Sequence, residues 1–142
     1  MGSRNLEKAA ALLFALGDKY GFTLETLLQL GIVHEAMDNY HEAIGYYARA
    51  VEIDESAAQI RYRLGMAYKG AKKFHEAAIQ LEYLVRNGVK NTELYNNLGQ
   101  VHEEMGSFKL ALDCYRLSEK LGLADAQTLK RKLFLEKFDN EN

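Results

Sequence analysis

Apolar positions along the chain recur with the spacing of amphipathic helices, and the whole pattern repeats every 34 residues. Three registers, 24–57, 58–91 and 92–125, each contain two apolar-periodic halves. The halves cover 24–37 and 40–53, 58–71 and 74–87, and 92–105 and 108–121. Only two residues separate the halves of each register, which is enough for a tight turn. Each register therefore predicts a helical hairpin.

Small residues recur inside these helices at fixed positions. Each first helix has a glycine directly after a leucine, at Gly31, Gly65 and Gly99, and each second helix has an alanine at Ala43, Ala77 and Ala111. Glycine inside a helix costs about 1 kcal/mol relative to alanine. Because that cost recurs at one period, we expect the glycines to let neighbouring helices approach closely, with a packing gain that outweighs it.

Further residues of the period carry a resemblance to a known family. An aromatic residue or histidine follows each glycine by three, at His34, Tyr68 and His102, and an aromatic residue opens each second helix, at Tyr40, Phe74 and Phe108. Together with the Leu-Gly pairs and the alanines, these residues make the chain resemble the tetratricopeptide repeat (TPR) family over about 102 of its 142 residues. The resemblance implies an all-α fold, a TPR α-solenoid of helical hairpins that forms a right-handed superhelix with a concave groove.

The flanking segments extend the register in both directions. Residues 4–20 match a second helix without its partner, with Ala9, Leu13 and Leu16 at the packing positions. Residues 126–138 match a first helix with Leu129 and Leu133 inward, and Lys130, Arg131, Lys132 and Lys137 keep its exposed end soluble. We interpret both as capping helices of a single TPR domain, residues 1–142, because an open solenoid needs its last apolar faces covered. The whole arrangement predicts eight helices.

Composition and charge exclude several other functions. The net charge of −2 gives no electrostatic footprint for nucleic acid. No apolar run approaches the roughly 18 residues of a membrane span. The most apolar stretch, residues 10–17, continues a helical pattern, and we interpret it as part of the fold rather than as a signal peptide. A cytoplasmic location is therefore the default expectation.

The residues that could support catalysis or metal binding are poorly arranged for it. His34 and His102 share one repeat position two periods apart, and His41 and His75 share another one period apart. Stacking therefore keeps the two histidines of each pair in different repeats, and neighbouring helical layers are expected to be about 10 Å apart. No charge pattern around Cys114 activates a thiolate. The adjacent pair at 103–104 points to different helix faces. We predict no catalytic, cofactor or metal site, and no enzyme activity.

The resemblance also implies a binding surface, because first helices line the concave groove of this family. Ligand contacts recur there at the second, fifth, ninth, twelfth and thirteenth repeat positions. Carried onto this chain with two neighbouring residues, these positions predict a partner-binding groove formed by Leu28, Ile32, Glu35, Tyr62, Arg63, Met66, Lys69, Glu93, Asn96, Asn97, Gln100, Glu103 and Glu104. The remaining family positions hold Glu25, Ala36, Gln59 and Gly70. The groove is apolar toward the first repeat, and amide-rich and acidic in the third.

These residues favour a non-enzymatic adaptor that binds a peptide or helix of a partner protein in the groove. A basic ligand residue is expected toward Glu93, Glu103 and Glu104. Two alternatives stay open: a secretion chaperone with three TPRs, and a self-assembling scaffold whose end helices exchange between chains, a possible homo-oligomer. One TPR subfamily grips a C-terminal carboxylate with lysine, asparagine and arginine. The corresponding places here hold Leu28, Ile32, Arg63, Glu93 and Asn97, so we expect no binding of such a chaperone tail.

Overall fold

The structure is a computed structural model that describes residues 2–122 and 125–141. Within those ranges the chain forms eight helices and no strand. The helices are α1 Ser3–Tyr20, α2 Leu24–Ala36, α3 Tyr40–Ile53, α4 Ala58–Gly70, α5 Phe74–Arg86, α6 Thr92–Glu104, α7 Phe108–Lys120 and α8 Ala126–Glu141.

The helix boundaries agree closely with the predicted halves. Helices α2 to α7 each begin at the residue where the apolar pattern begins, and each ends within one residue of its predicted end. At the flanks, α1 begins at Ser3 rather than at residue 4, and α8 continues to Glu141 rather than ending at 138. Residues 123–124, which belong to the third predicted register, lie outside the described residues. The grouping of the helices into three repeats and two caps stays a prediction.

The three predicted tight turns share one backbone conformation. Asp38 and Lys72 have positive φ angles of 59° and 60°, and Gly106 has a φ of 74°. In each turn the N–H of the next residue donates to a carbonyl five residues earlier, at 2.8 Å. This left-handed residue satisfies carbonyl groups at the end of the first helix and reverses the chain.

The described chain divides into two compact units, and the first ends at Lys73. In this unit α1 packs on α2, α2 on α3 and α3 on α4. Its central cluster consists of Ala43, Tyr47, Leu64 and Ala67, all of them buried. A second cluster joins α2, α3 and α4 through Leu27, Ala50 and Ile60.

The second unit begins at Phe74. Here α5 packs on α6, α6 on α7 and α7 on α8. Ala111, Leu112 and Tyr115 of α7 form a buried cluster with Leu135 of α8. Burial of aromatic and leucine side chains on helix stripes holds the hairpins together, since hydrophobic burial gives about 1.5–3 kcal/mol for each large side chain.

Two of the three repeated glycines, Gly31 and Gly99, bring helices together, as the sequence predicts. A Cβ atom built on Gly31 would lie 2.3 Å from the Tyr47 ring, and one built on Gly99 would lie 2.5 Å from the Tyr115 ring. Both rings are completely buried. The missing side chain is therefore the space that the tyrosine of the same hairpin occupies, and only glycine fits there.

Candidate partner-binding surface

Three first helices, α2, α4 and α6, carry the predicted groove residues, and side-chain caps define where α2 and α6 begin. Thr23 Oγ1 accepts a hydrogen bond from the N–H of Thr26 at 3.2 Å, and Asn91 Oδ1 accepts one from the N–H of Leu94 at 3.1 Å. Each cap satisfies a backbone donor that the first turn leaves without a helical partner. The caps therefore stabilise the first turn of two of the three helices that carry the predicted groove residues.

The apolar part of the predicted groove lies on α2 in the first unit. Leu28 and Ile32 are half-buried and pack against the cluster that contains Tyr47. Leu28 also packs against the cluster of Leu27, Ala50 and Ile60. Much of the apolar surface of these two side chains is thus already used inside the unit, and only its remaining part is open to a ligand.

Glu35 at the end of α2 joins two other helices. Its carboxylate accepts a hydrogen bond from the hydroxyl of Tyr47 at 2.6 Å and lies 3.5 Å from Nη1 of Arg63. Tyr47 belongs to α3 and Arg63 to α4. Burial, followed by the hydrogen bond to Glu35, raises the pKa of Tyr47, so this phenol stays protonated and acts as a donor.

The same arrangement recurs in the second unit. Glu103 accepts a hydrogen bond from the hydroxyl of Tyr115 at 2.6 Å, and its Oε1 lies 3.4 Å from Nε of Arg131. Burial is again the main cause that raises the pKa of Tyr115, followed by its hydrogen bond to Glu103. We call these two sets, Tyr47–Glu35–Arg63 and Tyr115–Glu103–Arg131, the Tyr-Glu-Arg triads.

The triads change the electrostatics expected of the groove. Glu35, Arg63 and Glu103 were predicted as ligand contacts, and each of them also has a partner within its own unit. The positions one period along from the first triad hold Lys69, Leu81 and Asn97, which cannot form the same set. The negative charges of Glu35 and Glu103 are therefore each compensated by an arginine. The equivalent position of α4 holds a cation, Lys69.

The remaining predicted residues lie on exposed or partly exposed parts of the helices. On α4, Tyr62, Met66 and Lys69 are half-buried. On α6, Glu93 and Glu104 are exposed, and Asn96, Asn97 and Gln100 are half-buried. Asn97 Nδ2 donates to the backbone carbonyl of Glu93 at 3.0 Å. The Oδ1 atom of Asn96 is buried, and no described residue donates a hydrogen bond to it.

An open pocket in the second unit extends this surface from α6 to α8. It has a volume of about 620 Å³ and is lined by Glu103, Gln127, Lys130, Arg131 and Phe134. From the sequence, Lys130 and Arg131 were expected only to keep the end of α8 soluble, and Gln127 and Phe134 were not among the predicted contacts. The sequence did contain a signal for these residues. Counted from residue 126, positions 127, 130 and 134 are the second, fifth and ninth, which are ligand-contact positions of the family.

Two groups that could react are buried in the second unit. His102 Nε2 lies 3.2 Å from Glu82 Oε1. Burial lowers the pKa of His102 although Glu82 acts in the opposite direction, so the neutral imidazole donates to the carboxylate. Burial raises the pKa of the Cys114 thiol to about 12. Residues 2–122 and 125–141 contain no group of three or more His, Cys, Asp or Glu side chains placed to hold a metal ion.

Comparison with known families decides what this arrangement of hairpins is. Two family models described as "Tetratricopeptide repeat" match residues 2–56 and 92–121, together more than half of the chain. The chain belongs to the tetratricopeptide repeat family. The TPR fold is that of a family of non-enzymatic scaffolds for protein–protein interaction. The resemblance predicted from the repeated residues is thereby confirmed, together with the all-α TPR fold.

Individual relatives are distant. Anaphase-promoting complex subunit 3 of Schizosaccharomyces pombe is 25% identical over 125 residues, which cover 85% of this chain. The chain spans only 18% of the length of that relative. Among solved structures, MamA 41-end from Desulfovibrio magneticus RS-1 is 17% identical with a TM-score of 0.85, covering 95% of this chain and 76% of that one.

Another similar structure contains a bound peptide. The first TPR of Spaghetti (RPAP3), bound to the HSP90 peptide SRMEEVD, is 18% identical with a TM-score of 0.73. The match covers 80% of this chain and 90% of that one. At these identities the structures show that the fold is shared. No helix among the described residues is both long enough and apolar enough to cross a bilayer.

Proposed function

We propose that this chain is a non-enzymatic adaptor that binds a peptide or helix of a partner protein along its first helices. The observation that carries the proposal is the set of half-buried side chains that the first helices leave partly open, Tyr62 and Met66 on α4 and Asn96 on α6. All three stand at positions predicted as ligand contacts. The amide group of asparagine can both donate a hydrogen bond to the backbone of an extended ligand and accept one from it.

The composition of the α4 surface supports the same proposal. Tyr62 and Met66 are half-buried on a first helix of the first unit. Tyrosine combines a large apolar surface with a hydroxyl, and methionine adapts to ligands of different shape. Such a surface gains free energy from contact with apolar ligand side chains, and helices already held by hairpin packing lose little entropy on binding.

The charges favour a particular ligand. Glu93 and Glu104 are exposed on α6, while the carboxylate of Glu103 is compensated by Arg131 and Tyr115. A basic ligand residue is therefore expected near Glu93 or Glu104 rather than at Glu103. An exposed ion pair of this kind contributes about 0–1 kcal/mol, so it orients the ligand more than it adds affinity.

We also propose that a chaperone tail with a C-terminal carboxylate does not bind. Leu28 and Ile32 occupy two places where a clamp requires polar groups, and both are partly buried in the packing of the first unit. Glu93 adds a negative charge that repels a carboxylate. The peptide SRMEEVD, which is bound to Spaghetti, is a direct probe. Fluorescence anisotropy with the labelled peptide is expected to show no binding, and a micromolar affinity would overturn this part.

The experiment is a selection of displayed peptides against the immobilised protein. Selected peptides are then measured with a Tyr62→Glu/Met66→Glu variant, an Asn96→Leu variant and the control Ile79→Glu. Ile79 is 47% exposed but lies on α5, a second helix. Circular dichroism confirms that each variant is folded. Peptides that bind the parent and the control, but bind either groove variant at least tenfold more weakly, are the expected result.

Peptides that bind all variants equally would refute the first-helix site and place binding elsewhere on the chain. Loss with Ile79→Glu alone would move the site to the second helices. A cytoplasmic location and the secretion-chaperone alternative stay predictions.

A further inference from the structure

The two end helices each expose a face that is buried in the complete hairpins. In α3 the residues that face α2 are Ala43, Tyr47 and Ala50, all with 0% exposure. The equivalent residues of α1, one period earlier, are Ala9, Leu13 and Leu16. Ala9 and Leu13 are only half-buried, and Leu16 is 49% exposed. We call these three residues the open face of α1.

Helix α8 shows the complementary feature. At the eighth repeat position, Gly31 and Gly99 are buried under the tyrosine of their own hairpin. The equivalent residue of α8 is Leu133, which is 62% exposed, and Leu129 beside it is half-buried. We call Leu129 and Leu133 the open face of α8. Among residues 2–122 and 125–141, α1 is thus a second helix whose hairpin face no other helix covers, and α8 is a first helix of which the same is true.

We propose that the open face of α8 in one copy packs against the open face of α1 in a second copy, completing a hairpin between chains. The contact continues the first-helix to second-helix packing already present in α2–α3 and α6–α7. It unites an apolar face of each copy, and neither face belongs to the predicted ligand surface. This goes beyond the proposed adaptor function and does not depend on it.

The side chains at the centre of the contact favour α1 as the occupant. A tyrosine placed like Tyr47 would collide with Leu133, because even a Cβ atom at the equivalent Gly31 would lie 2.3 Å from that ring. Helix α1 has Leu13 at the tyrosine position. In the proposed contact the first helix has the larger Leu133 in place of glycine, and the second helix has the smaller Leu13 in place of tyrosine. A leucine pair thus replaces the glycine–tyrosine pair. Another hairpin helix of the Tyr47 type would not fit.

Charges at the helix ends agree with this arrangement. Helices of a tight hairpin run antiparallel, so the start of α1 would lie near the end of α8. Arg4, Glu7 and Lys8 are exposed at the start of α1 and give it a net positive charge, and Lys137, Asp139 and Glu141 are exposed at the end of α8 and give it a net negative charge. Opposite charges at these ends favour the antiparallel pairing over the parallel one.

The contact joins two different surfaces, so it is heterologous and leaves one open face of each kind on every complex. The mass of the parent is therefore expected to rise with concentration beyond that of a dimer. Sedimentation velocity from micromolar to millimolar concentration measures this. Leu16→Glu and Leu133→Glu are each expected to be monomeric, since either change places a charge in the apolar contact. The control Leu110→Glu, at a position 50% exposed on α7, is expected to behave like the parent.

A mixture of the two monomeric variants gives the decisive measurement. The Leu16→Glu chain retains the open face of α8, and the Leu133→Glu chain retains that of α1. An equimolar mixture is therefore expected to form a one-to-one dimer that does not grow further. A monomeric parent at millimolar concentration would overturn the proposal. So would a Leu16→Glu variant that associates by itself, or a mixture that stays monomeric while the parent associates.

Discussion

Replacement of Gly31 by alanine tests whether the glycine position is a packing requirement. The added methyl group would lie 2.3 Å from Cε1, 2.6 Å from Cδ1 and 2.8 Å from Cζ of the Tyr47 ring. The ring has little freedom to move away, because it is completely buried and its hydroxyl donates to Glu35 at 2.6 Å. Relief therefore requires α2 and α3 to separate.

Two opposing terms determine the size of the effect. Alanine in place of glycine inside a helix gains about 1 kcal/mol. Overpacking a well-filled core costs about 1–3 kcal/mol. Because three atoms of an anchored ring are too close, we expect a cost at the upper end of that range and a net destabilisation of about 2 kcal/mol. For a chain of this length, that corresponds to a decrease in melting temperature of about 8 °C.

The matched control is Gly45→Ala in α3 of the same hairpin. Gly45 is exposed, and a Cβ atom built there has no neighbour within 4 Å. Only the propensity term applies, so this variant is expected to gain about 1 kcal/mol. Urea denaturation followed by circular dichroism at the helical band measures both variants. The same substitution in two helices of one hairpin should therefore change stability in opposite directions.

A double-mutant cycle identifies the contact responsible. Tyr47→Leu introduces the residue found at Leu81, one period along, and removes the ring that the new methyl group meets. Gly31→Ala is expected to cost less in the Tyr47→Leu background than in the parent, by at least about 1 kcal/mol. Contact between the added methyl group and the Tyr47 ring is refuted as the cause if Gly31→Ala stabilises the parent as Gly45→Ala does, or if its cost is the same in both backgrounds.

Three further predictions concern titration and reactivity. The pKa values of Tyr47 and Tyr115 are raised in the folded protein, so as the pH rises these phenols ionise first in the unfolded chain. The urea midpoint is therefore expected to decrease above about pH 10. It is expected to decrease less steeply when both tyrosines are changed to phenylalanine. An equal slope in the two proteins would contradict this. The pKa of His102 is lowered by burial, so the unfolded chain gains that proton first as the pH falls below about 6.5. The protein is therefore expected to lose stability in this range, and to lose less of it in the His102→Gln variant. Urea titrations from pH 7 to pH 5 measure both proteins. An unchanged pH dependence in the variant would refute the assignment of this loss to His102. Burial raises the pKa of the Cys114 thiol to about 12, so a thiol-specific disulfide reagent is expected to react much more slowly with the native protein than with the protein in urea. Equal rates would show that the thiol is accessible in the native state.

Much of the fold followed from local patterns that can be read directly in the chain. The helix boundaries came from apolar periodicity, and the turns from the two residues between apolar halves, because hydrophobic spacing and tight-turn geometry act over a few residues. The close approach at Gly31 and Gly99 was also predicted, since a repeated propensity cost needs a packing gain. The exact opposing atoms, the rings of Tyr47 and Tyr115, came only from the structure.

The state of the candidate site depended on contacts between helices. Glu35 and Glu103 were expected to face a ligand, yet each one also binds a tyrosine of its own hairpin and an arginine of the next first helix. The α8 side of the pocket, with Lys130 and Phe134, likewise became visible only once α6 and α8 were placed together.

The sequence by itself determined the period, the helices and the positions of small residues, because each of these is set by spacing along one chain segment. Only the tertiary structure decided which charges are compensated, which histidine is buried and which apolar faces are left open. Those properties depend on the distance between side chains that are far apart in sequence. The open faces of Leu16 and Leu133 show the difference: both leucines were expected to pack inward, and the structure leaves them 49% and 62% exposed because neither has a hairpin partner within the described chain.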